Sequence, residues 1–141
     1  MLSRLAIPLL CGACLLSGCH SDRVTMYSTA GKVVFADGQP VRTGTIELES
    51  VTFGTTAAGS IREDGTFVLG TYSPSDGAAA GKHRVIVVQM IVADGTVKHT
   101  KAHGRPVPVN FGRYDSSGLT AEILPRKKND LVLTLPSKSG E

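Results

Sequence analysis

Residues 60–71 read SIREDGTFVLGT, so that an Asp-Gly dipeptide comes directly before an alternating apolar run. Asp-Gly between alternating apolar stretches is typical of a tight turn, because glycine accepts positive φ and the aspartate side chain caps the turn. We therefore predict that the turn at Asp64 sets the register that directs Phe67 and Leu69 into a core. The same dipeptide begins at Asp37, Asp76 and Asp94.

Calcium binding is the alternative interpretation of these acidic turns. Ca²⁺ takes several oxygen ligands, and an EF-hand loop supplies them from acids at alternating positions followed by a bidentate glutamate. Among the Asp-Gly aspartates only Asp64 has an acidic neighbour, Glu63. The pattern favours turns, and we expect no bound metal and no cofactor.

Alternation of apolar and polar residues is the main signal along the rest of the chain. TGTIELES at 43–50 places Ile46 and Leu48 on one face and polar side chains on the other. KHRVIVVQM at 82–90 is apolar on both faces, as expected of a central strand. These patterns predict an all-β fold, an antiparallel two-sheet sandwich of about seven strands.

Two further alternating stretches follow nearer the C-terminus. LTAEIL at 119–124 and DLVLTL at 130–135 each place every second residue inward. TFGTTAAG at 52–59 has no such alternation, and we interpret it as a connection. The residues expected inward are Leu119, Ala121 and Ile123 in the first stretch, and Leu131, Leu133 and Leu135 in the second.

The first residues have the layout of a secretory signal peptide, with the cation Arg4 before the apolar run 5–16. That run is too short to span a bilayer. It ends in LSGC at 16–19, which resembles the bacterial lipobox, in which a lipid is attached to the cysteine before cleavage ahead of it. We expect a signal peptide at 1–18, lipidation at Cys19, a tether at 19–29, the sandwich at 30–136 and a tail at 137–141.

Lipidation would account for all three cysteines, because Cys11 and Cys14 lie in the removed segment and Cys19 carries the lipid. Ordinary cleavage, which leaves an exposed thiol, is the alternative. The lipid makes the membrane a partner of the protein. His20 and Ser21 follow the cysteine instead of the Asp that retains some lipoproteins at the inner membrane, so we expect an anchored protein of the cell envelope, at the outer membrane.

Four stretches occur in a fixed order along the chain: GKVVFADGQPVRTGTIEL at 31–48, IREDGTFVL at 61–69, DGAAAGKHRVIVV at 76–88 and RYDSSGLTAEIL at 113–124. In this order they resemble the small lipoproteins with a carboxypeptidase-regulatory-like domain, best known from planctomycete bacteria. The resemblance covers nearly all of the chain after the tether. It implies a transthyretin-like or immunoglobulin-like sandwich that is exported and lipid-anchored and has no catalytic residues.

Motifs for catalysis or metal binding are weak in this sequence. No G-x-S-x-G elbow surrounds Ser116 or Ser117, and no acid–base pair follows from residue spacing, so we expect no enzyme. His99 and His103 have a spacing that would suit zinc on a helix. Glycines and a proline bracket them, however, so we interpret both as solvated loop histidines.

The stretch 92–117 is where we expect any binding function, because it is long for a structureless connection. The formal net charge is +3, or about +2 without Arg4, which does not favour nucleic acid. The cations of the stretch suit an anionic surface polymer or lipid headgroups, although a solvated charged face is the alternative. The candidate ligand-binding residues are Lys98, His99, Lys101, His103, Arg105 and Tyr114.

Together these features predict a lipid-anchored, non-enzymatic β-sandwich with a structural or interaction role at the cell envelope. An envelope protein or a glycan is the expected partner. The alternative function is a carbohydrate- or anionic-polymer-binding lipoprotein that uses the basic stretch 92–117.

Overall fold

A computed structural model describes residues 23–91 and 104–136 of the chain. No helix in this part is long and apolar enough to cross a membrane. The elements are the strands β1 Met26–Tyr27, β2 Thr29–Phe35, β3 Gly44–Ser50, β4 Thr56–Ile61, β5 Thr66–Val68, β6 Ala78–Ala79, β7 Gly81–Val88, β8 Leu119–Ile123 and β9 Asn129–Leu135, and a 3₁₀ helix, Val109–Gly112.

The strands form two main sheets, one of order β5-β2-β9 and one of order β4-β3-β7-β8, with β1 and β6 as a separate short pair. The two sheets enclose one core, so the prediction of an all-β sandwich is confirmed. β7 lies between β3 and β8, which is the central position that its two apolar faces indicate.

The core is made of the inward-facing residues of both sheets. Phe67 and Leu69 are buried next to the turn at Asp64, as the sequence predicts, and Ile46 and Leu48 are buried in the facing sheet. Burial of such apolar side chains makes the largest favourable contribution to the free energy of folding of this part of the chain. The other buried core residues include Val33, Phe35, Val85, Val87, Ile123, Leu133 and Leu135.

One strand pair departs from the antiparallel pattern. β9 runs parallel to β2, with a register from Thr29 opposite Asn129 to Phe35 opposite Leu135. The turn after β8 crosses from the four-stranded sheet to the end of the other sheet at which β2 begins, so β9 can only run in the direction of β2. Alternation is the same in parallel and antiparallel strands, and the sequence pattern therefore contains no signal for this direction.

β4 is a strand that our interpretation of residues 52–59 as a connection missed, and that interpretation is wrong for its second half. Thr56–Ile61 pairs antiparallel with β3, and Ala57 and Ile61 are buried. Between them, a Cβ on Gly59 would collide with the carbonyl oxygen of Val68. Because β4 lies this close to Val68, position 59 has no room for a side chain, and the apolar alternation between Ala57 and Ile61 is interrupted there.

β structure begins at Met26, before the boundary at residue 30 that we expect for the sandwich. Met26 pairs with Ala79 and Tyr27 with Ala78. Thr29 is fully buried, and its hydroxyl donates to the carbonyl oxygen of Tyr27 at 2.7 Å. The end of the expected tether is therefore part of the fold.

Two of the Asp-Gly turns have the geometry that the sequence predicts. Asp37 Oδ1 accepts the N–H of Gln39 at 3.1 Å, and Asp64 Oδ1 accepts the N–H of Thr66 at 3.0 Å. The following glycines have φ values of +82° and +84°. In both turns the aspartate is used for capping, so the turn interpretation is confirmed there. The dipeptide at Asp94 lies outside the described residues.

Asp76 does not form a hairpin turn, in contrast to the other two. Its carboxylate accepts the N–H groups of Thr71 at 2.6 Å, Tyr72 at 3.0 Å and Ser73 at 3.1 Å. Although partial burial opposes ionisation, these backbone donors lower the pKa of Asp76 below its usual value. The side chain therefore stabilises the loop 71–77 that leads into β6.

Candidate functional site

The structure describes two of the residues that the sequence indicates as candidates for binding, Arg105 and Tyr114. They lie in different places and share no contact partner among the residues described. The other candidates, Cys19, Lys98, His99, Lys101 and His103, lie outside the described residues.

Arg105 lies at the end of the sandwich where β2 and β9 finish. Its guanidinium stands 3.7 Å from the centroid of the Phe35 ring, a cation–π contact. The same group donates to both carboxylate oxygens of Asp37, at 2.9 and 3.2 Å. The N–H of Gln39 and then the Arg105 guanidinium hold the pKa of Asp37 below its usual value. Both terminal nitrogens of the Arg105 guanidinium are therefore already engaged within the protein.

A groove of about 510 Å³ adjoins this ion pair. Its walls are mainly apolar, and the Asp37–Arg105 pair is its charged part. The lining residues also include Phe35, Pro106, Pro108, Leu135 and Pro136. Leu135 is also a buried core residue, so the groove borders the core.

Tyr114 lies over the outer face of the four-stranded sheet. Its turn is braced by Arg113, which donates to both carboxylate oxygens of Asp115 at 3.1 Å. The carbonyl oxygen of Arg113 also accepts the N–H of Ser117 at 2.8 Å. The bond from Ser117 to Arg113 closes the turn on which Tyr114 lies.

The sheet face under Tyr114 carries three charged side chains. The Tyr114 hydroxyl lies 3.5 Å from a carboxylate oxygen of Glu47, and the Arg84 guanidinium lies 5.3 Å from the ring centroid. Arg84 also forms an ion pair with Glu49. β3 and β7 pair so that Glu49 stands opposite Arg84 and Glu47 opposite Ile86. We call Glu47, Glu49, Arg84 and Tyr114 the Tyr114 face.

The electrostatics of the Tyr114 face keep the tyrosine neutral. Partial burial and the nearby carboxylates of Glu47 and Glu49 raise the pKa of Tyr114 to about 12. The phenol is protonated at neutral pH, as in an ordinary tyrosine, and the raised pKa extends to higher pH the range in which it can donate a hydrogen bond. The face combines an aromatic ring, a hydroxyl, a guanidinium and two carboxylates, so it can both donate to and accept from a polar ligand.

Glu47, Glu49 and Arg84 are members of this face that the sequence reasoning did not select. The alternation in 43–50 does place the two glutamates on the wet side of β3. Only the register between β3 and β7 brings Arg84 beside them, and only the path of the chain after the 3₁₀ helix brings Tyr114 above them. No pattern in the sequence predicts this grouping, because it depends on tertiary contacts.

The hydroxyl groups near Tyr114 have structural partners. Ser116 Oγ donates to the carbonyl oxygen of Asn110 at 2.8 Å, and Ser117 Oγ donates to that of Val85 at 2.6 Å. Ser117 is buried, so its bond fixes the start of β8 against β7. Neither serine contacts a base that could activate it within the described residues.

Within residues 23–91 and 104–136, no group of three or more His, Cys, Asp and Glu side chains could hold a metal ion. His83 is buried in the core, and its Nδ1 lies 3.0 Å from the carbonyl oxygen of Gly81. Burial lowers the pKa of His83, and the contact with Gly81 opposes this in part. His83 is therefore a neutral core residue.

No protein-family model, curated protein or solved structure matches the chain. The resemblance to lipoproteins with a carboxypeptidase-regulatory-like domain stays a prediction from sequence motifs.

Proposed function

We propose that this protein is a lipid-anchored β-sandwich that acts at the cell envelope as a non-catalytic structural or interaction module. The observation that carries the proposal is the short distance between the LSGC motif and the fold. Only residues 20–25 separate Cys19 from Met26, the first residue in a strand. An extended chain gains at most about 3.5 Å per residue, so a lipid on Cys19 would keep the sandwich within ~25 Å of a bilayer.

The non-catalytic part of the proposal is supported by the roles of the polar side chains. The hydroxyls of Ser116 and Ser117 are bound to backbone carbonyls, and His83 is a buried, neutral residue. The carboxylates of Asp37, Asp64 and Asp76 cap turns. These groups stabilise the fold, and none is arranged as a nucleophile with a base.

The anchor is tested by expressing the wild type and a Cys19→Ala variant and separating membranes from soluble fractions. We expect the wild type in the membranes, with the mass of acyl chains on its N-terminal cysteine. The variant should leave the membrane fraction, because two or more acyl chains are needed for stable attachment. A Cys19→Ala protein that stays in the membranes, or a wild type without lipid, would contradict the proposal.

A second candidate function is binding of a carbohydrate or an anionic polymer of the envelope through the stretch 92–117. The observation that favours it is the Tyr114 face, where Tyr114 from this stretch meets Arg84 and Glu47 on an open sheet. Tyrosine and arginine are enriched at the centres of binding surfaces. Carboxylates and guanidinium groups add hydrogen bonds suited to hydroxyl-rich ligands.

A glycan array probed with the purified protein separates the two functions. If the protein is a binder, Tyr114→Ala should abolish the signal, and Lys101→Glu should weaken it in a salt-dependent manner. Tyr72→Ala is the matched control, because Tyr72 is an exposed tyrosine elsewhere on the molecule, at 45% exposure. Absence of any glycan signal with the wild type argues for the structural or protein-interaction role.

A further inference from the structure

Several segments meet at one end of the sandwich, which we call the anchor-side end. It consists of Arg23, the loop 71–77, the turn 51–55 and the turn 124–128. The loop 71–77 joins this end because Gly77 packs directly against the backbone of Tyr27 in β1. The strand registers that bring the two turns together pair Ser50 with His83, Gly81 with Ile123, and Thr29 with Asn129.

The turn 51–55 exposes apolar side chains, and its backbone is held by hydrogen bonds. Val51 is 65% exposed and Phe53 is 50% exposed. The N–H of Val51 donates to the carbonyl oxygen of Lys82 at 3.0 Å, and the N–H of Phe53 donates to Ser50 Oγ at 3.1 Å. Leu124 adds a third apolar side chain from the other turn, at 42% exposure. Exposed apolar side chains that lie together beside polar residues mark surfaces that contact a protein or a membrane.

Positive charge lies beside these apolar side chains. Arg126 and Lys127 are exposed, and neither forms an ion pair with another described residue. Lys128 is paired with Asp130 at 3.2 Å, and Lys82 stands opposite Glu122 in the sheet. The turn 124–128 itself contains three cations and no acid, so the anchor-side end is positive next to its apolar tips.

The start of the described chain lies at the same end. The Arg23 guanidinium stands 5.5 Å from the centroid of the Tyr72 ring, in the loop 71–77. Arg23 follows Cys19 by four positions in the sequence. A lipid on Cys19 would therefore hold the anchor-side end, and not the opposite end, against the bilayer.

We propose that the anchor-side end docks on a bilayer that contains anionic phospholipid, with Phe53, Val51 and Leu124 at the level of the headgroups and with Arg126 and Lys127 on the phosphates. This inference rests on the proposed lipid anchor at Cys19. Apolar tips beside cations are the combination that binds membrane interfaces, because burial of apolar area and attraction to anionic lipid add together. Anchoring raises the local concentration of the bilayer, so individually weak contacts suffice.

The chain contains no tryptophan, so a single introduced indole reports on its own position. The experiment uses full-chain protein carrying Phe53→Trp, with Val109→Trp as the matched control. Val109 is an apolar side chain at 91% exposure in the 3₁₀ helix, away from the anchor-side end. Each protein is reconstituted into vesicles of phosphatidylethanolamine and phosphatidylglycerol with brominated acyl chains, which quench indole fluorescence on contact.

We expect strong quenching of the indole at position 53 and none at position 109. Adding Arg126→Glu and Lys127→Glu to Phe53→Trp should lower the ratio of docked to undocked protein by roughly tenfold or more, and high salt or vesicles of phosphatidylcholine alone should act in the same direction. Equal quenching at the two positions, or none at position 53 in vesicles that carry the protein, would overturn the docking proposal.

Failure of the anchor is recognised separately, by mass spectrometry of Cys19 and by flotation of the vesicles. If the cysteine carries no lipid, the same single-tryptophan proteins are added to vesicles from solution. Quenching at position 53 that is absent in the Arg126→Glu and Lys127→Glu variant still supports the docking surface. Absence of quenching in that arm overturns the docking proposal, because the protein would then have neither the anchor nor a surface that binds the bilayer by itself.

Discussion

Gly38 and Gly65 occupy the same position in two Asp-Gly turns and have nearly the same φ, +82° and +84°. Their surroundings differ. A Cβ at position 38 would have no atom within 4 Å, whereas a Cβ at position 65 would lie 2.7 Å from the carbonyl oxygen of Val33. The N–H of Val33 also donates to the carbonyl oxygen of Gly65 at 2.9 Å, so this turn is fastened to β2.

We therefore predict that Gly65→Ala destabilises the protein much more than Gly38→Ala. Gly38→Ala should cost about 1–2 kcal/mol, the penalty of the left-handed conformation alone. Gly65→Ala should cost roughly 1–3 kcal/mol more, because the turn must also move away from β2. Urea denaturation of both variants measures the difference, and equal losses would show that the contact with Val33 is unimportant.

His83 gives the protein a pH-dependent stability. Its folded pKa is lowered by burial from a usual value of 6.5, so below that pH the unfolded chain binds a proton that the folded protein excludes. Stability should therefore be fully present above about pH 6.5 and fall as the pH drops below it, by at most about 1.4 kcal/mol per pH unit. Urea midpoints measured between pH 7.5 and pH 5 test this.

The control for that prediction is His83→Asn, which keeps a donor near the carbonyl oxygen of Gly81 and does not titrate. This variant should be less stable than the wild type at neutral pH but should lose most of the dependence in this window. The capping aspartates change the stability only at lower pH, because their folded pKa values are below 3.8. If the variant retains the wild-type slope, another group is responsible.

At the scale of elements, β9 is the edge strand of the three-stranded sheet that pairs with β2. Leu133 faces the core at 6% exposure, and its neighbour Val132 faces solvent at 74% exposure. We predict that Leu133→Ala lowers the free energy of unfolding by about 2–5 kcal/mol, the range for deleting a buried leucine side chain.

Val132→Ala is the matched control on the same strand, and it should change stability by less than about 0.5 kcal/mol. Both variants are compared by chemical denaturation at the same pH. Similar losses for the two variants would mean that β9 is not held through its core face, contrary to the burial that the structure assigns to it.

Some strands of the fold were predictable from the sequence pattern, and others were not. β3, β5 and β7 were predictable, because their apolar residues alternate or run continuously between turn residues. β4 was not, because close contact with Val68 leaves no room for a side chain at position 59, and the glycine there interrupts the alternation. β1 was not either, since its pairing with Ala78 and Ala79 follows from how the chain folds back, and not from its own pattern.

At the scale of the whole molecule, the proposed lipid anchor makes the number of residues between Cys19 and Met26 a determinant of how closely the sandwich can approach the membrane. A flexible Gly/Ser linker of about 20 residues inserted after Asp22 adds a mean reach of roughly 25 Å. We predict that the protein stays in the membrane fraction while lipid quenching of the indole in Phe53→Trp falls severalfold, because the effective concentration of the bilayer drops.

A linker of the same length inserted after Pro136 is the control, and it should leave the quenching unchanged. Unchanged quenching with the linker after Asp22 would contradict the prediction and would mean that the docking contacts do not depend on a short tether. Loss of the protein from the membrane in both variants would instead point to disturbed export.

Local features of this protein follow from the amino-acid sequence: the Asp-Gly turns at Asp37 and Asp64, the inward faces of the main strands and the motif for a lipid anchor. These follow from period-two alternation and from the φ preference of glycine, which act over a few residues. The parallel direction of β9 and the long-range ion pairs Glu49–Arg84 and Asp37–Arg105 depend instead on tertiary contacts. Glu49 and Arg84 are 35 positions apart and Asp37 and Arg105 are 68 apart, so only the register of the folded sheets and the packing of distant segments could bring them into contact.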